Sequence, residues 1–134
     1  MAENYFDAAQ RHFHDAKLLR AQTAPSLENA SHLAGITAEC AMKAILQHYS
    51  QGMQAKIHLP AMWQHFACHS AMSRRSGLRS RIVAQKVHFA QWEIGQRYEA
   101  PGAIFFAQAV VDTQLAAAGV LMSLLHQSKK GVNV

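Results

Sequence analysis

The sequence predicts an all-α fold, a helical bundle of four main helices and one short helix. Three observations favour it. Apolar residues recur at three- and four-residue spacing, and no segment has the alternating apolar and polar residues of a β-strand. Turn-forming residues separate the apolar stretches. The predicted helices cover residues 3–22, 27–49, 60–72, 78–98 and 103–127. Residues 1–127 are expected to form one domain, and residues 128–134 a flexible C-terminal tail.

The first predicted helix ends at the stretch "TAPS", residues 23–26. Pro25 disfavours a helical conformation at Ala24, because its ring clashes with the backbone of the preceding residue. Ser26 is a good N-cap for the helix that follows. The apolar face of the first helix consists of Tyr5, Phe6, Ala9, Phe13, Ala16 and Leu19.

The second predicted helix is apolar nearly all round, which is typical of a buried central helix. One face carries small residues that allow another helix to approach closely: Ala30, Ala34, Thr37, Ala38 and Ala41, with Ile45. The opposite face carries His32, Glu39 and Lys43. A glutamate four residues before a lysine is the favourable order for an ion pair on a helix. If the pair is shielded from water, each charge needs the other or a further hydrogen bond.

Breaks and apolar patterns define the remaining helices. Gly52 is a stop signal, and Pro60 suits the first turn of a short third helix. "SRRSG", residues 73–77, separates that helix from the fourth, and Pro101 with Gly102 separates the fourth from the last. The apolar pattern of the fourth helix comprises Leu78, Ile82, Val83, Val87, Phe89, Ala90, Trp92 and Ile94.

The composition fits a small globular protein with a covered apolar surface. Half of the 134 residues are apolar and only 16% are charged, below the roughly 25% of typical soluble domains. We therefore expect a homodimer. The two cysteines are too few for a disulfide framework, and we expect no membrane span, because polar residues interrupt the longest apolar run. A cytoplasmic protein is the resulting expectation.

The charges are distributed unevenly along the chain. No acid occurs between Glu39 and Glu93, and we call residues 40–92 the basic segment. It contains Lys43, Lys56, Arg74, Arg75, Arg79, Arg81 and Lys86, together with His48, His58, His65, His69 and His88. A one-sided basic segment attracts phosphates, so it predicts a nucleotide or RNA ligand. The alternative is a solvated surface that only keeps the protein soluble.

Four features resemble the HEPN domain family, a nucleotide-binding helical bundle of higher eukaryotes and prokaryotes. They are "AECAMKA" (38–44), "HLP" (58–60), "RY" (97–98) before a proline turn, and the order of the helices. The resemblance spans about residues 5–127. It implies a HEPN-like antiparallel bundle that binds nucleotide or RNA, with a nucleotidyltransferase-type protein as a candidate partner. A helical adaptor for another protein is an alternative.

The resemblance also implies roles for particular residues. Glu39 and Lys43 match an acid and a lysine of the family's second helix, where they are expected to tie helices together or to hold the loop of His58 and Leu59. Arg97 and Tyr98 are expected to anchor the end of the fourth helix. Arg74, Arg75, Arg79 and Lys86 are the predicted ligand-binding cations.

Many HEPN domains are metal-independent ribonucleases with an arginine and a histidine separated by four to six residues. Arg81 and His88 match this spacing, and seven residues of α-helix would place both on one side. The histidine would move protons and the arginine would stabilise charge on the phosphate. Ile82 departs from the pattern, since catalytic members usually have a polar residue there. The chain is therefore either a binding module or such a ribonuclease.

Metal and cofactor sites are not predicted. His65 and His69, four residues apart near Cys68 and His58, are the best candidates for zinc ligands. The segment offers no acid or second cysteine to complete a site, so we interpret the two histidines as part of a basic surface.

Overall fold

A computed structural model describes residues 4–50, 56–90, 92 and 107–131 of the chain. The described residues form five α-helices and two 3-10 segments and no strand, which confirms the all-α prediction. The α-helices are α1 (Tyr5–Ala21), α2 (Leu27–Tyr49), α3 (Ala61–Cys68), α4 (Ser76–Val83) and α5 (Gln108–Lys129).

Side chains at the ends of α1 and α2 determine where these helices begin. The Asn4 side chain accepts a hydrogen bond from the Asp7 backbone N–H at 3.0 Å, so α1 begins at Tyr5. Ser26 precedes α2 as predicted, but its side chain caps no backbone N–H. Its hydroxyl instead accepts a hydrogen bond from the Asn29 amide at 2.9 Å. The bounds predicted for α2 are confirmed.

Contacts at both ends of α1 define the direction of its neighbours. Phe6 lies edge-on to His126, while Arg20 binds Asp112, so α1 and α5 run antiparallel. The chain between α1 and α2 is short, and the Lys43 ammonium lies over the Tyr5 ring, so α1 and α2 are also antiparallel. Helices α2 and α5 consequently run in the same direction, each antiparallel to α1.

Helix α2 is the centre of the core, and its small residues allow close packing. Gly35 shows how close: a Cβ atom at this position would lie 2.0 Å from Cε2 of Trp92. The indole N–H of Trp92 donates to the Ser31 carbonyl at 2.9 Å, and the Ser31 hydroxyl donates to Gln114 of α5 at 2.6 Å. These contacts hold Trp92 and helix α5 against the face of α2 that bears Ser31 and Gly35.

The predicted fourth helix, 78–98, is not one continuous α-helix. Helix α4 ends at Val83, and residues Ala84–Phe89 form a 3-10 segment. Phe89 at the end of this segment and Trp92 beyond it are both buried in the core, where each is 2% exposed. Val87, which we predicted to be on the apolar face, is 69% exposed. Residues 93–98 lie outside the described part of the chain.

The predicted third helix, 60–72, is also divided. His69 has an extended backbone that ends α3, and its ring accepts a hydrogen bond from the Ala71 N–H, which caps a 3-10 turn at Ser70–Met72. The chain therefore bends between α3 and α4, and Ala71 and Met72 enter the core.

The last helix extends beyond its predicted end at residue 127. It continues to Lys129, and Ser128, which we placed in the tail, is fully buried. Among the described helices, α5 is long and apolar enough to cross a membrane by length and composition alone. A core helix passes the same test, and 44% of its most apolar window is buried in the bundle.

Candidate functional site

A buried carboxylate connects α2 to the loop before α3. Glu39 is 4% exposed and Lys43 is 2% exposed, so both charges lie inside the protein. Glu39 Oε2 lies 3.2 Å from Lys43 Nζ and 3.0 Å from His58 Nδ1. Glu39 Oε1 accepts a hydrogen bond from the Leu59 backbone N–H at 3.0 Å. We call Glu39, Lys43, His58 and the Leu59 N–H the Glu39 cluster.

Local sequence explains why the loop reaches this carboxylate. Leu59 is an apolar residue that is only 3% exposed, so its burial draws the backbone onto α2. Pro60 directly precedes α3, which continues into the core through Met62, Trp63 and Phe66. The predicted contact of Glu39 with the loop of His58 and Leu59 is therefore observed.

The Glu39 cluster compensates for the burial of two charges. Removing a carboxylate and an ammonium from water costs several kcal/mol per ion unless each is paired and hydrogen-bonded. Glu39 accepts hydrogen bonds from Lys43 and the Leu59 N–H and has a third polar contact with His58. The His58 side chain, in contrast, is 46% exposed, so the cluster extends from the core to the surface.

Five cations surround α4 and the 3-10 segment after it: Arg74, Arg75, Arg79, Arg81 and Lys86. We call them the cationic surface. Arg74, Arg81 and Lys86 are exposed, while Arg75 and Arg79 are partly buried. None of the five forms an ion pair with an acid in the described ranges. Arg75 is the most constrained, because its guanidinium stacks 3.8 Å from the Tyr49 ring centre and donates to the Ala71 carbonyl at 2.7 Å.

The structure does not place Arg81 and His88 on one continuous α-helix. Arg81 is exposed in the last turn of α4, and His88 is partly buried in the 3-10 segment. Each 3-10 residue turns about 120° instead of about 100°, so His88 is rotated by roughly 80° from its predicted direction. The continuous α-helix on which the predicted alignment relied is therefore not present. Arg97 and Tyr98 lie outside the described residues.

The paired histidines of α3 have different surroundings. The rings of His65 and His69 lie 5.6 Å apart, and burial lowers the pKa of His65, with further lowering by His69 and Lys43. Nε2 of His65 is buried without a hydrogen bond, and Nδ1 of His69 accepts from Ala71. In the part of the chain that the structure describes, no three His, Cys, Asp or Glu side chains could hold a metal ion.

One cleft was not predicted from the sequence. It has a volume of about 300 Å³ and lies between α1 and α5, lined by Gln10, Phe13, His14, Lys17, Met122 and His126. The helical spacing of the four α1 residues is a signal that could have indicated a shared face. Phe13, which we placed on the apolar face of the first helix, lines this cleft, with Lys17 above its ring at 4.4 Å. His12 points elsewhere, and burial lowers its pKa.

The HEPN resemblance has no counterpart in the comparisons with known proteins. No family model, curated protein or solved structure matches this chain.

Proposed function

We propose that this chain is a HEPN-type bundle that binds RNA or nucleotide phosphates through its cationic surface. The observation that carries the proposal is the local excess of positive charge. Five cations lie within residues 74–86, and no described acid neutralises any of them. Such a surface raises the local concentration of phosphates and releases counterions when they bind.

The Glu39 cluster supports the HEPN part of the proposal. Two of the segments that resemble the family, "AECAMKA" and "HLP", are separated in the sequence. They meet in space, because Glu39 of the first binds His58 and Leu59 of the second. A set of motifs that forms one contact network is less easily explained by chance than the same motifs scattered over the surface.

Fluorescence anisotropy with a labelled single-stranded RNA of about 20 nucleotides tests the binding surface directly. We expect affinity to fall steeply with salt and the double variant Arg74→Ala, Lys86→Ala to weaken binding and flatten the salt dependence. These two residues are exposed, so the fold should be unaffected.

The matched control removes the same charge from elsewhere. Arg11 and Lys130 are exposed cations outside the basic segment. Arg11→Ala with Lys130→Ala should weaken RNA binding much less. Equal losses in the two double variants would mean that only net charge matters. Absence of RNA and nucleotide binding at low salt would favour the alternative of a helical protein adaptor.

Two assembly partners belong to the proposal. The chain is expected to form a homodimer. A separate nucleotidyltransferase-type protein is expected to bind to it. Light scattering at micromolar concentration should give the dimer mass, and a monomer mass would contradict the first expectation. Co-purification with the tagged nucleotidyltransferase-type protein tests the second.

A metal-independent endoribonuclease is the second candidate function. It is favoured by the position of Arg81, which is exposed on the cationic surface, with a partly exposed His88 in the next segment. If these residues act as predicted, His88→Ala abolishes cleavage and leaves RNA binding intact. Cleavage should survive a chelator and leave a 2′,3′-cyclic phosphate. Full activity of His88→Ala would exclude this pair.

A further inference from the structure

His58 is the only described histidine of the basic segment that contacts a carboxylate. We propose that His58, rather than His88, is the proton acceptor that acts on an RNA ligand of this protein, through its Nε2 atom. This inference rests on the proposed RNA binding, because the cationic surface has to bring the phosphodiester to the histidine.

Hydrogen bonds determine which ring nitrogen of His58 carries a proton. Glu39 accepts from the Lys43 ammonium and from the Leu59 N–H, which is the pattern of an ionised carboxylate. An ionised carboxylate can only accept, so the 3.0 Å contact requires a proton on His58 Nδ1. The neutral ring then has its lone pair on Nε2.

Burial sets the direction of the His58 ring. The Glu39 side chain is 5% exposed, whereas the His58 side chain is 46% exposed. The ring therefore has one nitrogen at a buried anion and the remainder towards the surface. A buried carboxylate at Nδ1 fixes the tautomer and the orientation of the ring.

The other histidines of the basic segment do not meet these conditions. Nδ1 of His69 already accepts the Ala71 N–H, so its only lone pair is used. Nε2 of His65 is buried, and burial lowers the pKa of this ring. His48 packs edge-on against Tyr49, and His88 has no carboxylate partner among the residues described.

The surroundings of His58 indicate the class of substrate. No serine, threonine or cysteine in the described ranges hydrogen bonds to its ring, so the base is not paired with a protein nucleophile. RNA supplies its own nucleophile, the 2′-hydroxyl next to each phosphodiester. Its phosphates also match the positive charge of the segment that contains His58.

The proposed step is an internal transesterification. His58 Nε2 takes the 2′-hydroxyl proton as the 2′-oxygen forms a bond to phosphorus, and the bond from phosphorus to the 5′-oxygen breaks. The leaving 5′-oxygen takes a proton from water, and the hydroxide formed takes the proton from His58. The products are a 2′,3′-cyclic phosphate and a 5′-hydroxyl. Glu39 is a positioning residue in this step.

The tautomer can be measured without any activity. Long-range ¹H–¹⁵N correlation spectra at pH 8, assigned with His58→Gln, should show a protonated Nδ1 and an unprotonated Nε2 for His58. Glu39→Gln should disturb this pattern, because an amide can also donate. A proton on Nε2 in the wild-type protein would overturn the inference.

Cleavage of a labelled RNA in the presence of a chelator tests the chemistry. We expect His58→Ala to lower the rate by at least about 100-fold, as for loss of a general base, with RNA affinity unchanged. His14→Ala is the matched control and should remain active, because His14 is exposed on α1 and lies outside the basic segment. Glu39→Gln should lower kcat more than it raises KM, and its melting curve shows whether it is folded.

The outcomes separate this inference from the proposed function. RNA binding without any cleavage by the wild-type protein would overturn the role of His58 and leave the binding proposal standing. Cleavage that persists in His58→Ala, or that depends on His88 instead, would also overturn it. Loss of RNA binding by the wild-type protein would overturn both.

Discussion

Two ion pairs of this protein have opposite environments. Arg20 and Asp112 join α1 to α5 at the surface, where Arg20 Nε lies 2.6 Å from the carboxylate and a second nitrogen lies 3.1 Å from it. Glu39 and Lys43 lie in α2 at 3.2 Å, with side chains only 5% and 2% exposed. The surface pair has the shorter distance and the better geometry, but water solvates both of its partners.

The comparison teaches that burial, more than distance, decides what such a pair contributes. A surface pair that breaks is rehydrated, so its loss costs little. A buried pair that loses one partner leaves a charge without compensation in a medium of low dielectric constant. The four predictions below test this contrast, from the largest expected effect to the smallest.

Removing the buried carboxylate should have the largest effect. Glu39→Ala takes away the acceptor that Lys43, His58 and Leu59 share, and it should lower the free energy of unfolding by about 3–5 kcal/mol. Lys43→Ala should also lower the melting temperature. Urea unfolding measures the first effect, with Asp15→Ala as the control for loss of an exposed acid. A Glu39→Ala loss no larger than the control would refute the contrast.

A buried neutral pair should give an intermediate effect. Ser31 is fully buried and donates to Gln114 at 2.6 Å. Ser31→Ala leaves the Gln114 oxygen without this donor, at an expected cost of about 1–3 kcal/mol. The exposed Ser123, which accepts from Gln127, is the control, and Ser123→Ala should change the urea midpoint very little. A larger loss for Ser31→Ala than for Glu39→Ala would show that charge is not the deciding factor.

His65 should make stability depend on pH near neutrality. Burial holds the pKa of His65 in the folded protein below the usual 6.5. As pH falls through this usual value, the unfolded chain takes up the proton first, so stability falls with pH. The contribution of the neutral His65 to the free energy of unfolding is complete above about pH 6.5, and it is lost as pH falls to the pKa of His65 in the folded protein. His65→Gln should reduce the difference in urea midpoint between pH 7.5 and 5.5, whereas His14→Gln should not.

Breaking the surface pair should have the smallest effect. Arg20→Ala should leave the melting temperature nearly unchanged, and added salt should remove any difference. The hydrogen bond from Arg20 holds the pKa of Asp112 below its usual 3.8. The contribution of the pair is therefore present above about that pH and lost as pH falls through the folded pKa. A destabilisation comparable to that of Glu39→Ala would contradict the comparison.

Periodicity and caps in the sequence predicted the helices whose ends are set locally. Both bounds of α2 follow from Ser26, from the apolar run and from the break near Gly52. The sequence also shows Glu39 and Lys43 inside that apolar run. Two charges on a buried helix require partners, so the sequence indicated that they pair. The pairing of Glu39 with Lys43 was therefore predictable from the residues alone, whereas the contact of Glu39 with the loop of His58 and Leu59 was predicted only through the HEPN resemblance.

Only the tertiary structure decided how these elements are placed. The structure has a 3-10 segment at Ala84–Phe89 where the sequence alone predicts a continuous α-helix, and this segment changes the direction of His88 relative to Arg81. The position of the His58 ring and the contact of its Nδ1 depend on a carboxylate 19 residues away. Helical periodicity records local side-chain direction, whereas burial and tautomer depend on distant residues that only packing brings together.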